Sequence, residues 1–223
     1  MVLTLTAAAG LNSFFSGYDK ALLSLCHRLA EAMGGLLTPL CRLITLLGEK
    51  GLLFFLLALV LMWRADTRRA GICLFGAVCC GALITNILLK DAVARPRPFE
   101  AAEQFRLWWE FVGSPAEEGF SFPSGHATAA AAGMVALWLV WGRRLALPTV
   151  ITVVLMDFAR NYLMAHYPSD VLMGTLIGAA SALIAYGITA LIYRFLGTRE
   201  GPLWDFVRDG DFPLPRPGYQ GKH

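Results

Sequence analysis

The chain has 223 residues, of which 57% are apolar and only 16% are charged, and its mean hydropathy is +0.57. These values exclude an ordinary soluble domain and are typical of an integral membrane protein. The net charge of +3 is small, and the lysines and arginines are scattered between apolar stretches. Because a nucleic-acid-binding surface needs massed basic residues, nucleic acid is not expected as a partner.

The amino-terminal region predicts a helix that lies in the membrane interface. Residues 1–15 are apolar but lack a basic flank, and about 15 residues do not cross a ~30 Å hydrocarbon core, so neither a signal peptide nor a first span is predicted. From Tyr18 to Met33, apolar residues recur at helical spacing, opposite a polar face. The apolar stripe is Leu22, Leu25, Leu29 and Met33, and the polar face is Asp19, Lys20, Ser24, His27, Arg28 and Glu31.

Five later stretches predict an all-α polytopic transmembrane bundle. They are residues 48–64, 70–89, 123–142, 145–165 and 170–195. A further apolar stripe precedes them at Leu36, Leu40, Leu43 and Leu47.

Basic residues predict the orientation of this bundle. Alternate connections carry Arg64, Arg68, Arg69, Arg143, Arg144, Arg194 and Arg199. Because positively charged connections stay in the cytoplasm, the amino terminus and residues 90–122 and 166–170 are expected outside. The sequence therefore predicts a multi-pass protein of the inner cell membrane, in which residues 90–122 and 166–170 face the periplasm or exterior.

Two segments outside the predicted spans are distinguished by their composition. The 99–122 connection places Phe105, Trp108 and Trp109 among glutamates, which predicts a short interfacial segment with aromatic anchors. Residues 1–200 are expected to form one membrane domain, and the proline-rich residues 201–223 a mobile cytoplasmic tail without regular structure. Recognition of that tail by a proline-binding partner is the alternative to disorder.

The five cysteines predict neither a disulfide framework nor a metal site. Their number is odd, and no pair has CxxC spacing. Most lie in apolar segments, where cysteine behaves as a small hydrophobic residue.

Three polar clusters stand at the outer ends of predicted spans: residues 90–98, 123–126 and 160–170. A single cation at a span end usually anchors a helix to lipid headgroups. Cations gathered on the outer face, however, depart from the cytoplasmic preference of lysine and arginine, and they repel one another unless an anion lies among them. Together the clusters predict a phosphate-binding site.

The tetrapeptide Pro123-Ser124-Gly125-His126 opens a predicted span, so its backbone N–H groups lie at a helix start, where anions bind readily. Gly125 permits close approach of the backbone, and Ser124 is suited to cap the helix or to donate to a phosphate oxygen. Taken alone, the tetrapeptide is equally well explained as an ordinary capped helix.

His166 and Asp170 are four residues apart, with Pro168 between them, so both are not expected inside one regular helix. Asp170 is expected in the first turn of the last span, where its carboxylate fixes the His166 tautomer and frees the other ring nitrogen to attack phosphorus. His126 has no such carboxylate nearby in the sequence.

The three clusters together resemble the signature of the type 2 phosphatidic acid phosphatase (PAP2) superfamily. The pattern is Lys90-x6-Arg97-Pro98, then Pro123-Ser124-Gly125-His126, then Arg160-x5-His166-x3-Asp170. Order and spacing agree across residues 90–170, and the resemblance implies a helical membrane fold and a lipid phosphatase activity. One departure is Ala159, where the family usually has a serine that would hydrogen-bond phosphate.

The resemblance also implies a role for each matched residue. His166 would attack phosphorus and form a phosphohistidine, His126 would protonate the leaving oxygen and then activate water, and Asp170 would orient His166. The residues implied to hold the phosphoryl oxygens are Lys90, Arg97, Ser124, Gly125 and Arg160.

Polar residues near the motifs are expected to support them. Asp157 is placed to pair with Arg160, and Asn86 to position Lys90. Arg95 lies outside the matched positions and is expected to meet lipid headgroups. Two histidines and a carboxylate also suit a metal, but the converging cations would repel a divalent ion, so neither metal nor cofactor is expected.

The leading functional hypothesis is hydrolysis of a lipid phosphate or diphosphate at the outer membrane surface. The number of spans and the chain length resemble small bacterial family members that act on undecaprenyl diphosphate. Phosphatidic acid, phosphatidylglycerophosphate and transfer to another lipid stay open, as does a non-catalytic lipid binder or transporter. The pair His126 and His166 disfavours a binder, because binding needs cations but no nucleophile or proton donor. The expected partners are the lipid substrate and the bilayer; the sequence does not indicate the oligomeric state.

Overall fold

The computed structural model describes residues 2–210, which form α-helices with short 3-10 and π-helical stretches between them. The α-helices are α1 (Val2–Ala32), α2 (Thr38–Leu47), α3 (Leu52–Trp63), α4 (Ala65–Ala82), α5 (Lys90–Val93), α6 (Pro98–Ala101), α7 (Glu103–Phe111), α8 (Gly125–Trp141), α9 (Ala146–Tyr162), α10 (Pro168–Leu196) and α11 (Pro202–Asp209). A π-helical stretch, Leu83–Leu89, joins α4 to α5. The predicted all-α class is confirmed.

Four helical segments are long and apolar enough to cross a membrane. They are Thr38–Trp63, Ala65–Ala101, Gly125–Tyr162 and Pro168–Leu196. In the first, the residues Lys50 and Gly51 have φ angles of 50° and 68°, which separate α2 from α3.

The third segment contains two antiparallel helices. The turn Gly142–Leu145 separates α8 from α9, and the Thr149 hydroxyl on α9 donates to the Met134 carbonyl on α8 over 3.2 Å. The five predicted spans therefore correspond to α3, α4, α8, α9 and α10.

Small residues let the central helices approach closely. One buried cluster joins α4, α8 and α10 through Cys73, Ala77, Ala132, Ala136, Ala182 and Ala185. A Cβ atom on Gly174 of α10 would stand 2.5 Å from the Ser124 carbonyl oxygen at the start of α8. Close packing on small residues is typical of membrane helices, and here it brings the starts of α8 and α10 together.

The leucine stripes of α1 and α2 face outward, as lipid contact requires. Leu25 is 56% exposed and Leu40 52% exposed, whereas Leu23 and Cys41 are buried. The predicted polar face of α1 does not all lie in water, because Asp19 is only 3% exposed. In a bilayer a charged side chain finds its partners inside the protein, so the polar face of α1 is partly its packing face.

Two predictions about connecting segments need correction. Residues 103–111 form α7 as an interfacial element should, but the side chains Phe105, Trp108 and Trp109 pack against buried residues of α1 and the 164–167 segment rather than serving only as lipid anchors. The expected absence of structure from Gly201 is wrong for its first part, because α11 forms at Pro202–Asp209. Arg68 donates to the carbonyls of Val207 and Gly210, which ties this helix to α4. Residues 211–223 lie outside the described residues.

Candidate active site

Four helix ends meet at one end of the bundle and enclose a cavity of about 710 Å³. Since α4 runs into α5 here, α8 and α10 begin here and α9 ends here, all three polar clusters converge. The residues that line the cavity include Lys90, Arg97, Glu117, Gly125, His126 and His166.

His166 lies between α9 and α10 and is only 2% exposed. Its Nδ1 atom is 2.7 Å from the carbonyl oxygen of Ser121. A carbonyl only accepts hydrogen bonds, so Nδ1 carries the hydrogen and Nε2 keeps its lone pair. Burial lowers the pKa of His166 well below its ordinary value, and the positive charges of Arg160 and Arg97 lower it further. The ring is therefore neutral and suited to act as a nucleophile.

Asp170 lies in the first turn of α10, as predicted, but it does not hold His166 directly. Its Oδ2 atom is 3.9 Å from Nδ1 of His166. Instead Oδ2 accepts hydrogen bonds from the Ser121 hydroxyl at 2.5 Å and from the Tyr167 backbone N–H at 3.0 Å. The carboxylate is turned back to cap its own helix, so Ser121 stands between Asp170 and His166.

His126 follows the helix-start residue Gly125 in the first turn of α8. Its Nε2 atom is buried without a well-aligned hydrogen bond, and Oε2 of Glu49 lies 3.4 Å away. The expectation that only His166 has a neighbouring carboxylate is wrong, because the fold brings Glu49 from a segment far away in sequence.

Arg97 and Arg160 are buried cations whose nitrogens are held differently. Arg97 donates to the backbone carbonyls of Glu118, Gly119 and Ala165 at 2.7, 2.9 and 2.8 Å. Arg160 is fully buried, and its Nε and Nη1 atoms have no hydrogen-bond partner. The carbonyls fix the orientation of the Arg97 guanidinium, and the unsatisfied Nε and Nη1 donors of Arg160 are available to a phosphoryl oxygen.

Glu117 joins these two arginines and was missed by the sequence analysis. Its Oε1 atom lies 2.6 Å from Nη2 of Arg160, and its Oε2 atom lies 3.1 Å from Nη1 of Arg97. The carboxylate thus occupies the anion position between two guanidinium groups in the cavity wall. A phosphate that binds both arginines has to displace it. A run of glutamates before the second motif was the only sequence signal.

The second motif has the predicted helix-start geometry. The Ser124 side chain caps α8 by accepting from the Ala127 backbone N–H at 3.5 Å. Ser124 is fully buried, and its donation to phosphate stays a prediction. Gly125 lines the cavity, where a Cβ atom would stand 3.5 Å from Oδ1 of Asn86. Asn86 therefore lies beside Gly125, and its support of Lys90 stays a prediction.

The expectations for Asp157 and Arg95 are wrong, whereas the missing phosphate hydrogen bond at Ala159 stays a prediction. Asp157 accepts from the Thr175 hydroxyl of α10 at 2.9 Å instead of pairing with Arg160, whose guanidinium is turned to Glu117. Ala159 packs in a buried apolar cluster with α1 and α2. Arg95 does not meet headgroups, because it is only 1% exposed and is paired with Asp19 and Asp170.

A comparison with protein families matches residues 70–194, more than half of the chain, to the PAP2 superfamily. The chain belongs to the PAP2 superfamily. All three motifs lie inside the matched range, whereas α1 and α2 of this PAP2 protein precede it.

Similar proteins include an undecaprenyl-diphosphatase from Sulfolobus acidocaldarius, 31% identical over 55% of this chain and 56% of that protein. A lipid A 1-phosphatase from Rhizobium etli is 36% identical over 66% of this chain and 58% of that protein. The chain thus spans less than two thirds of the length of either relative. A crystal structure of a transmembrane PAP2-type phosphatidylglycerolphosphate phosphatase from Bacillus subtilis superposes with a TM-score of 0.65. The superposed region covers 87% of this chain and 96% of the Bacillus subtilis chain, and at 22% sequence identity it shows a shared fold.

Proposed function

We propose that this protein is a membrane lipid phosphatase that removes the terminal phosphate of a lipid phosphate or diphosphate through a phosphohistidine at His166. The observation that carries the proposal is the neutral His166 ring, whose Nδ1 is bound to the Ser121 carbonyl while Nε2 is left for attack. Cations of the same cavity supply the charge that a phosphoryl group needs.

In the first step, Nε2 of His166 attacks phosphorus, so a P–N bond forms and the P–O bond to the lipid breaks. Lys90, Arg97 and Arg160 stabilise the phosphoryl oxygens once Glu117 has moved away, with the Gly125 backbone at the helix start. Negative charge of the substrate favours protonated His126, which gives its proton to the leaving oxygen.

In the second step, neutral His126 takes a proton from water, and the resulting hydroxide oxygen attacks phosphorus. A P–O bond forms, the P–N bond breaks, and inorganic phosphate leaves. Both steps together consume one water and return His166 to its neutral form.

Metal independence is part of this proposal. Among residues 2–210, no three His, Cys, Asp or Glu side chains are grouped as metal ligands, and three cations already occupy the position where a divalent ion would neutralise phosphate. Turnover is expected to persist in excess EDTA. Loss of turnover that one specific divalent ion restores would contradict the cation-based account.

The substrate proposed first is undecaprenyl diphosphate, supported by the likeness to an undecaprenyl-diphosphatase. Phosphatidic acid, phosphatidylglycerophosphate and phosphotransfer are alternatives, because the motifs recognise phosphate and not the lipid tail. A phosphate-release panel of purified protein with polyprenyl and glycerolipid substrates, run with EDTA, tests the activity and ranks these lipids. Lipid binding without phosphate release from any of them would favour a non-catalytic binder.

The proposed location is the inner cell membrane, with the cavity facing the periplasm or exterior. Arg64, Arg143 and Arg194 stand at the helix ends opposite the cavity, which supports a cytoplasmic position for that end. Residues 1–200 are proposed as the phosphatase domain, with the remainder as its cytoplasmic tail.

A further inference from the structure

We infer that Arg95, held by Asp19 of α1, is a positioning residue for the nucleophile His166. This inference rests on the proposed phosphatase function. Arg95 is at none of the matched motif positions, and Asp19 lies outside the range that matches the family. The contacts link α1 to the reacting ring through Arg95, Asp170 and Ser121.

The guanidinium of Arg95 uses each of its nitrogens. Nε donates to the Asn12 side-chain oxygen at 2.7 Å and Nη2 to Oδ2 of Asp19 at 2.8 Å. Nη1 donates to Oδ1 of Asp170 at 2.5 Å and to the Ser169 hydroxyl at 2.8 Å. The planar group also stacks on the Tyr167 ring, with 3.9 Å from Cζ to the ring centre. Its orientation is thus determined from every side.

From Arg95 the contacts lead directly to His166. The guanidinium holds one oxygen of Asp170, and the other oxygen accepts from the Ser121 hydroxyl at 2.5 Å. The Ser121 backbone N–H also donates to the Arg95 carbonyl at 2.7 Å. Arg95 therefore positions Ser121 at two atoms, and the Ser121 carbonyl holds Nδ1 of His166.

The charge of Arg95 decides where the Asp170 carboxylate points. Without the Arg95 guanidinium, the buried Asp170 carboxylate, which lies 3.9 Å from Nδ1 of His166, would have no positively charged partner on its other oxygen. It would then either take up a proton, which weakens its hydrogen bond with the Ser121 hydroxyl because the acceptor is no longer charged, or turn towards the imidazole ring, which removes that acceptor.

Asp19 connects this arrangement to the amino-terminal helix. Besides Arg95, it accepts from the Ser169 backbone N–H and the Ser169 hydroxyl, each at 2.8 Å. One carboxylate of α1 therefore holds both Arg95 and the first turn of α10. Helix α1 thereby becomes part of the catalytic architecture.

The test uses the full chain in detergent with Arg95→Ala, Arg95→Lys and Asp19→Asn. Arg95→Ala is expected to lower kcat about a hundredfold with little change in KM, since a displacement of about 1 Å at a reacting atom has an effect of that order. The kcat values of Arg95→Lys and Asp19→Asn are expected to lie between those of the parent and Arg95→Ala. A lysine ammonium keeps the charge but only some of the hydrogen bonds of the planar guanidinium, and an asparagine amide keeps only some of those of the Asp19 carboxylate.

Arg68→Ala is the matched control. Arg68 is likewise a buried arginine, only 5% exposed, that donates to the carbonyls of Met62 and Val207 at the opposite end of the bundle. The Arg68→Ala variant is expected to have a lower Tm and an unchanged kcat.

A second measurement is independent of turnover: the ¹⁵N shifts of the His166 ring, assigned with His166→Gln. The parent is expected to show the hydrogen on Nδ1, and Arg95→Ala a mixture of tautomers. If the parent releases no phosphate from any lipid, the proposed function fails while the ring shifts still decide the role of Arg95. An unchanged tautomer in Arg95→Ala, or in Arg95→Lys where Arg95→Ala does not fold, would overturn the inference. So would a kcat of the Arg95 variants equal to that of Arg68→Ala at the same loss of Tm.

Discussion

At the residue scale, the two histidines differ in what holds them. His166 is bound at Nδ1 by a backbone carbonyl and is kept neutral by burial and by the neighbouring arginines. His126 has a buried Nε2 atom beside Glu49, and within residues 2–210 no carbonyl is hydrogen-bonded to its ring. A fixed neutral ring suits a nucleophile, and a ring whose proton can be gained and lost suits an acid and base.

This difference predicts distinct behaviour of the two alanine variants. Both are expected to lose lipid phosphatase activity, His126→Ala by about a hundredfold to ten-thousandfold, the usual range for general acid–base catalysis. With a nitrophenyl phosphate, whose leaving group needs no proton, His126→Ala is expected to show a burst of nitrophenol and His166→Ala none.

The covalent adduct distinguishes the variants further. His126→Ala is expected to accumulate phosphohistidine that survives base and is lost in acid, because water activation is slow. The nucleophile would have to be reassigned if labelled phosphate appeared on Ser124, or if His166→Ala formed as much adduct as the parent.

Substitution of Glu117 is expected to change phosphate binding, because its carboxylate occupies the position between Arg97 and Arg160 that a phosphate would take. Glu117→Gln is expected to bind inorganic phosphate or vanadate about tenfold more tightly, the equivalent of ~1.4 kcal/mol, which is the order of one charge-assisted hydrogen bond. Its Tm without phosphate is expected to fall, because two buried cations lose their counter-charge, and added phosphate should restore it.

Inhibition constants and thermal shifts measure both effects. Glu103→Gln on the exposed face of α7 is the control, since its carboxylate pairs only with Arg106 among the contacts the structure describes. Weaker phosphate binding by Glu117→Gln would mean that this carboxylate supports the phosphate site and does not compete for it.

At the element scale, glycine determines how closely α8 and α10 approach. A Cβ atom on Gly178 would stand 2.8 Å from the Cβ atom of Ala131 and would also meet the Thr128 carbonyl. Gly174, one turn earlier, faces the Ser124 carbonyl. These contacts bring Ser124 and Asp170 close enough for the Ser124 backbone N–H to donate to the Asp170 carbonyl at 3.1 Å.

Gly178→Ala is therefore expected to lower stability by ~1–3 kcal/mol, the usual result of overpacking a tight contact. Gly187→Ala in the same helix is the matched control, because no atom lies within 4 Å of its added Cβ and alanine favours the helix. Thermal unfolding in detergent measures both. Equal Tm values for the two variants would show that α8 and α10 have room to separate.

At the scale of the whole molecule, charge separates the two ends of the bundle. At the cavity end Arg97 and Arg160 are buried and paired with Glu117, whereas Arg64, Arg143 and Arg144 at the other end are exposed. Exposed cations can interact with the anionic lipids of the cytoplasmic leaflet. The cavity end is therefore expected to be the outer one.

Labelling with a membrane-impermeant thiol reagent on intact cells tests this orientation. Gln104→Cys on α7 is expected to react from outside and Arg143→Cys only after the membrane is opened, with the parent chain measuring the reactivity of its own cysteines. Labelling of Arg143→Cys from outside would reverse the topology and the side of the reaction.

The sequence by itself determined the helical membrane class and the three motifs, because hydropathy and motif spacing are local along the chain, whereas within residues 2–210 the structure has four segments long enough to cross a membrane where five spans were predicted. Only the tertiary structure decided which groups meet His166 and His126. Glu49, Glu117 and Ser121 come from segments whose distance from the histidines depends on helix packing, and Arg95 was assigned to the surface because its carboxylate partner Asp19 lies 76 residues away in sequence. In a bilayer, apolar stripes face the lipid, and buried charges must find partners inside the protein, so hydropathy reveals which side chains face out but not which charges pair.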